Sequence, residues 1–404
     1  MPYYRSVGEV PRKRHTQFRQ PDGTLYAEEL MGQEGFSADS SLLYHRHAPT
    51  AIVAAEAYDP PAVTRVPNLP LKPRHLRTHQ LDHTGADPIL GRRYLLANDD
   101  VRIAYVSADR PSPLFRDATG DHCLYLESGA LRVESPFGAL DAVAGDYVII
   151  PTSTIHRLVP TGDEPARLLA IEAAGHVGPP KRYLSVRGQF LEHSPYCERD
   201  VRGPDAPLLV DGADVEVLVR HRSRAGRPDG SGTAWTRHTY AHHPFDVVGW
   251  DGHLYPWAFS IHDFEPITGR IHQPPPVHQT LQGPNFVICS FVPRKVDYHP
   301  DAIPVPYHHH NVDSDEMLFY TGGNYEARRG SGIGQGSISL HPSGFTHGPQ
   351  PGAAERSIGV DFFDELAVMV DTFRPLDLCA AADECEDPAY AWTWARPAAP
   401  PPAG

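Results

Sequence analysis

One internal repeat constrains this chain more than any other feature. The first copy runs Gly145-Asp-Tyr-Val-Ile-Ile-Pro151-Thr-Ser-Thr-Ile-His156, and the second runs Gly336-Ser-Ile-Ser-Leu-His-Pro342-Ser-Gly-Phe-Thr-His347. Each has Gly, five residues, Pro, then a His five further on, so the Gly-to-His separation is eleven in both (156 − 145 and 347 − 336). A strand-like segment carrying a glutamate precedes each copy. Glu127 lies 29 residues before its His (156 − 127) and Glu316 lies 31 before (347 − 316). A unit repeated at this distance predicts two similar small antiparallel barrels, each with a site in its mouth. The 42 prolines among 404 residues fit that reading, because proline fixes φ and removes a donor, which disfavours long helices.

Short apolar runs rich in β-branched and aromatic residues recur between Gly, Pro and Asp, and these predict strands. They include Val101–Val106, Leu124–Leu126, Asp146–Ile150, Leu168–Ile171, Val215–Val219, Phe286–Val292 and Ser337–Leu340. Helical patterns are few; the clearest is Phe363–Phe373, with Leu366, Val370 and Phe373 on one face. The expected class is mainly β, two cupin-like jelly-roll barrels (a bicupin) with few short helices. The expected domains are 1–245, an N-terminal β domain with a barrel lacking metal, and 246–396, a C-terminal barrel carrying a metal site. Residues 397–404 form a Pro/Ala-rich tail expected to be disordered.

The formal net charge of −14 makes nucleic acid and anionic membranes poor partners. Five scattered cysteines without C-x-x-C spacing fit free thiols in a reducing compartment. Met1–Gln20 has no apolar core of a secretory signal, and no apolar run approaches the roughly 18 residues of a membrane span. The expected location is the cytoplasm.

The chemistry concentrates before and within the second copy, in Tyr307-His308-His309-His310-Asn-Val-Asp-Ser-Asp-Glu316. Strand alternation would turn His308 and His310 one way and His309 the other. Two imidazoles and one carboxylate from three places make a facial triad, which leaves one side of a metal open to substrate and O₂. Zinc is not excluded by ligand type. In the first copy His122, Glu127 and His156 stand in similar order, but Gly120 occupies the place of the first His.

These residues resemble the homogentisate 1,2-dioxygenase family along nearly the whole chain. The carriers are Leu25-Tyr-Ala-Glu-Glu-Leu30, Ser41-Leu-Leu-Tyr44, Val247-Val-Gly-Trp250 with Tyr255-Pro256, Pro306-Tyr307 with His310 to Glu316, Gly323-Asn-Tyr325-Glu-Ala-Arg328, and Leu340-His341 with His347-Gly-Pro349. The resemblance implies an iron(II) enzyme that takes homogentisate and O₂ in tyrosine and phenylalanine breakdown, assembled as a homo-oligomer, a trimer or a hexamer built from trimers. It places the iron ligands on His310, Glu316 and His347, with His308 and His309 left open by the three-histidine run. It places the catalytic base on His272, with His262 the weaker candidate, and substrate contacts on Tyr325 and His347. His341 is expected near the cavity in a structural role. Departures are Pro274, where the family has an acid, and Val312, where many members have Asn two residues after the first ligand.

Overall fold

Alternation of period two is plainest in Ala130–Ser135, where Leu131, Val133 and Ser135 are buried and the residues between them are not. Asp146–Ile150 and His122–Ser128 are instead buried almost throughout, because both of their faces are covered. A computed structural model describes residues 3–60, 62–224 and 232–395 of the chain. The chain is mainly β, and each expected strand lies within or overlaps an observed one. Among the described residues the α-helices are short, Ala353–Ser357 and Ala380–Cys385, and none is long and apolar enough to cross a membrane. The expected Pro/Ala tail, 397–404, lies outside the described residues.

The chain divides into two units. The first comprises 1–62, 83–92 and 103–260; the second comprises 63–82, 93–102 and 261–404. The division therefore falls after Ser260 rather than at 245. Hydrogen bonding is the reason. Trp257–Ser260 pairs with Asp146–Ile150, and Val247–Gly252 pairs with Ser40–His45, so both strands belong to the first unit. Arg74–Arg77 pairs with Ser337–Leu340 and so belongs to the second.

In the first unit, Trp257–Ser260, Asp146–Ile150, His122–Ser128 and Ala166–Ala173 lie side by side. A second sheet has Ala130–Ser135 between Gly138–Val143 and Arg157–Thr161. A third runs Ile52–Tyr58, Gly232–Tyr240, Val215–Ser223, Leu114–Asp117. In the second unit one sheet runs Gln279–Gly283, Phe286–Phe291, Glu365–Thr372, Asp315–Gly323, Ser337–His341, Arg74–Arg77. The expected helix at Phe363–Phe373 is thus a central strand, Glu365–Thr372. Its two-sided burial produces a continuous apolar run, whose i, i+4 coincidences imitate a helical face.

The glycine of each repeat has a backbone reason. Gly145 has φ 92° and Gly336 φ 74°, in the left-handed region that a side chain disfavours. Further along, Gly344 has φ 82° and its counterpart Ser153 φ 67°, so the turn is kept although the residue type is not.

Candidate metal centre

Asp315–Gly323 is a central strand of the second barrel, almost wholly buried. Glu316 stands at its start, opposite His341 on one neighbour and Asp371 on the other. His309 lies before this strand and pairs with His347 through two backbone hydrogen bonds, His309 N to His347 O at 2.7 Å and His347 N to His309 O at 2.9 Å. That bridge sets the imidazoles side by side, ring centroids 4.3 Å apart. The result is a cluster in which one donor atom each from His309, Glu316 and His347 lies within 4.8 Å of the others. His309 Nε2 is 3.4 Å from Glu316 Oε2 and His347 Nε2 is 3.2 Å from Glu316 Oε1. Glu316 and His347 are buried and His309 is half-exposed, so the cluster opens on the His309 side.

The protonation pattern fits a cation. His347 Nδ1 faces the Phe345 carbonyl at 3.3 Å, which assigns its proton to that nitrogen. The Nε2 lone pair then faces a carboxylate oxygen without a hydrogen bond and buried from water. Two lone pairs at that distance repel unless a positive ion lies between them. The surroundings orient the carboxylate from behind. His341 Nδ1 lies 2.8 Å from Glu316 Oε1, and His341 Nε2 lies 2.9 Å from the Tyr390 hydroxyl. Burial pushes His341 down to about 3 despite Glu316, so the ring is neutral: Nδ1–H donates to the carboxylate and Nε2 accepts from Tyr390. Burial opposes charge on Glu316, but the hydrogen bonds from His309 and His341 outweigh it and hold its pKa well below the usual carboxylate range. Two imidazoles and one carboxylate would leave open positions on a bound ion.

The structure does not bring His310 to this cluster. Its Nε2 accepts the backbone N–H of Gly344 at 2.9 Å, and His309 takes the place expected for it. The three histidines precede the strand, which begins at Asp315, so strand alternation does not govern them. With His309 as first ligand, Asn311 falls two residues later, and the departure at Val312 disappears. His308 packs against Gly348.

Tyr325 is also placed differently from expectation. Its hydroxyl donates to Leu366 O at 3.0 Å and accepts from Gly322 N–H at 2.6 Å. Gly322 lies six residues along the strand from Glu316, roughly 20 Å at about 3.3 Å per residue, so this hydroxyl is held remote from the cluster. His272 is exposed at φ 61°, with its ring 5.4 Å from that of Tyr307, whose ring in turn lies 5.9 Å from His309. His262 is exposed in the single turn Ile261–Asp263. The sequence reading missed Tyr390, which bonds His341 from 49 residues away (390 − 341); an aromatic residue remote in sequence carries no local signal of its neighbours.

The first barrel has the same framework. Phe115 bridges His156 as His309 bridges His347. His122 stands opposite Ile150 and Glu172, as Glu316 stands opposite His341 and Asp371. The counterpart of Glu316 is therefore His122, not Glu127, which instead accepts a 2.5 Å hydrogen bond from the Tyr105 hydroxyl. Gly120 is not the site of a first ligand, since a Cβ there would collide with the Ala173 carbonyl. Around His122 lie Asp117 at 2.7 Å and the guanidiniums of Arg92 and Arg220, each at 3.4 Å. Arg220 pairs with Asp117 and, at 2.5 Å, with Glu172; Arg92 pairs with Glu172 at 2.6 Å.

Comparison with known proteins adds the following. Residues 266–397 match the family model described as homogentisate 1,2-dioxygenase C-terminal. A protein of Saccharolobus solfataricus, provisionally named a dioxygenase, is 36% identical over 398 residues, covering 98% of this chain and 99% of that protein. The homogentisate 1,2-dioxygenase of Nitrobacter hamburgensis is 28% identical over 298 residues, 69% of this chain and 62% of that enzyme. That of Bradyrhizobium diazoefficiens is 28% identical over 286 residues, 66% of this chain and 59% of that enzyme. The chain thus spans less than two thirds of these two enzymes. Among solved structures, a cupin 2 conserved barrel domain protein from Leptotrichia buccalis is 8% identical, covering 70% of this chain and 88% of its own, at a TM-score of 0.30.

Proposed function

The chain belongs to the homogentisate 1,2-dioxygenase family, and from that membership we propose that it is an iron(II)-dependent ring-cleaving dioxygenase converting homogentisate and O₂ to 4-maleylacetoacetate in tyrosine and phenylalanine breakdown. The observation that carries the reading is the buried His347 Nε2 facing the Glu316 carboxylate without a hydrogen bond, beside His309. His309, Glu316 and His347 would hold the metal. Bound iron(II) supplies a meeting point for ring and O₂ and a route for the electron exchange that triplet oxygen and a closed-shell ring lack. The reaction places both oxygen atoms in the product and needs no reductant.

The residues do the rest. His341, fixed by Tyr390, keeps the Glu316 carboxylate oriented. His272, packed against the Tyr307 ring that in turn packs against His309, would accept a phenolic proton from a substrate bound on this side and make its ring electron-rich. Its left-handed backbone conformation is one that functional residues adopt when the surrounding chain fixes them. Exposed Ile271 and Tyr307 give this side an apolar border suited to an aromatic guest.

A second reading is gentisate or another hydroxylated aromatic acid. It is favoured by the engagement of the Tyr325 hydroxyl with backbone, which leaves it unavailable to a homogentisate carboxylate. Oxygen uptake by anaerobically iron-loaded protein, with homogentisate and gentisate side by side, separates the two. One O₂ per homogentisate with a ring-opened product is expected. Uptake with gentisate alone would transfer the assignment, and uptake with neither at full iron content would overturn it. In the same assay His309→Ala should lose iron, whereas His310→Ala should keep it; the reverse result would restore the register read from sequence.

A further inference from the structure

A line of buried polar groups runs behind the metal centre from one side of it to the other. Glu316, Leu318 and Tyr320 alternate onto one face of Asp315–Gly323, and His341 and Ser339 stand opposite Glu316 and Leu318 on the next strand. His341 Nδ1 meets Glu316 Oε1 at 2.8 Å, and His341 Nε2 meets the Tyr390 hydroxyl at 2.9 Å. Ser339 also hydrogen-bonds the Tyr390 hydroxyl, and its Oγ lies 3.1 Å from the Tyr320 hydroxyl. At the far end Arg328 Nε donates to the Tyr320 hydroxyl at 3.1 Å. The same guanidinium turns Nη1 to the Gly348 carbonyl at 2.6 Å, next to His347 in the chain. Trp394 Nε1 also donates to that carbonyl, at 3.1 Å.

Chemistry fixes the direction of this line. A guanidinium only donates and a carboxylate only accepts. Arg328 therefore gives to Tyr320, Tyr320 to Ser339, Ser339 to Tyr390, Tyr390 to His341 and His341 to Glu316. Bonds that all point one way polarise one another in the same sense. Arg328 is 8% exposed, and among the described residues no carboxylate lies within ion-pair distance of it. A buried charge without a paired counter-charge is costly and calls for a reason. Burial works against the charge, but Tyr320, Tyr390 and Glu316 prevail and keep the guanidinium protonated. Its field is felt in turn at His341.

We propose that Arg328 is a positioning residue of the metal centre: it orients Glu316 through this line, steadies the chain beside His347, and by its buried charge favours the ferrous over the ferric state of a bound iron. The proposal rests on the reading of His309, Glu316 and His347 as iron ligands. Groups that hold metal ligands from behind change affinity by about 10–100-fold when removed. The redox half follows from charge. Oxidation takes one electron from iron(II), passes it to an oxidant such as O₂, and leaves the metal one unit more positive. A guanidinium fixed in a low-dielectric interior repels the ferric ion more than the ferrous one.

The test loads full-length protein anaerobically with iron(II) and compares the wild type with Arg328→Met, Arg328→Lys and Trp394→Phe. Competition with the chelator ferrozine reads affinity, and a mediated redox titration reads the iron(III)/iron(II) potential. Arg328→Met should weaken iron(II) binding about 10–100-fold and lower the potential. Arg328→Lys keeps the charge but not the planar fork, so binding should weaken while the potential is retained. Trp394→Phe removes a neutral donor from the same carbonyl and should leave the potential unchanged. Unchanged affinity in Arg328→Met would overturn the positioning role; if that variant does not fold, wild-type affinity in Arg328→Lys would do so. An unchanged potential in Arg328→Met, or an equal fall in Trp394→Phe, would overturn the role of the charge. Wild-type protein that takes up no iron would overturn the ligand reading, and this proposal with it.

Discussion

In the second barrel Glu316 stands between His341 and Asp371; in the first, His122 stands between Ile150 and Glu172. The frameworks match at these ladder positions, yet the polar groups differ. In the second barrel two histidine nitrogens converge on a carboxylate, whereas the equally unpartnered Nε2 of His156 in the first barrel has no carboxylate facing it as Glu316 faces His347. In the first, Phe115 replaces one imidazole and the positive charge is covalent, supplied by Arg220 and Arg92. The histidine of the repeat survives in both, but His156 is pushed down to about 3, by burial first and the neighbouring His122 second, and stays neutral. A barrel of this kind needs its central charges compensated; a metal ion and a guanidinium are alternative means, and only the ion leaves coordination positions for chemistry.

The sharpest way to break this comparison is to exchange the two glutamates' fates. Glu316→Ala should reduce iron from about one per chain to near zero and abolish turnover, because binding needs all three donors. Glu127→Ala should leave iron content unchanged; metal analysis of both variants decides. Loss of iron on removing Glu127 would mean that the barrels are paired incorrectly here.

Arg220→Met comes next. It leaves Asp117 and Glu172 partly uncompensated inside the first barrel, where removing one partner of a buried pair costs about 3–5 kcal/mol. Denaturant unfolding of the variant measures this, and a loss under about 1 kcal/mol would show that the guanidinium is not what compensates the first barrel.

The third concerns pH. Burial works against charge on His45, but its bonds to Asp246 and Glu29 prevail and raise it to about 9. A raised folded-state value means the stabilisation is complete below the unfolded value near 6.5 and is lost as pH rises through 9, up to about 3 kcal/mol. Urea midpoints measured from about pH 6 to pH 10 should fall across that window, and His45→Gln should flatten the fall. His341 in the second barrel, held near 3, contributes no such window.

The smallest effect is at the repeat's one irregular turn. Ser153 holds φ 67° where Gly344 holds 82° in the other copy. Ser153→Gly should stabilise by about 1 kcal/mol, readable as a small rise in melting temperature.

Much of this was legible in the sequence because its signals are local. Gly145, Gly336, Pro151 and Pro342 mark turns by backbone chemistry that acts within a few residues, and their spacing revealed two barrels. Glu316 and His347 were legible for the same reason. Glu365–Thr372 was not, since an apolar run is common to a buried strand and a helix face, and only its neighbours Phe286–Phe291 and Asp315–Gly323 settle it. Nor was the match of Glu127 to Glu316: residue identity suggested it, whereas the ladder sets His122 opposite Ile150.

The sequence alone thus determined most of the strands it read, the duplication and two of the three clustered donors, because period, turn chemistry and spacing are properties of neighbouring residues. Tertiary structure decided which histidine of His308–His310 turns inward, that His341 and Tyr390 stand behind Glu316, and that Arg220 fills the first barrel's charge. Those outcomes depend on backbone pairs between segments such as His309 and His347, 38 residues apart (347 − 309), and no local pattern encodes which side of such a pair faces the cavity.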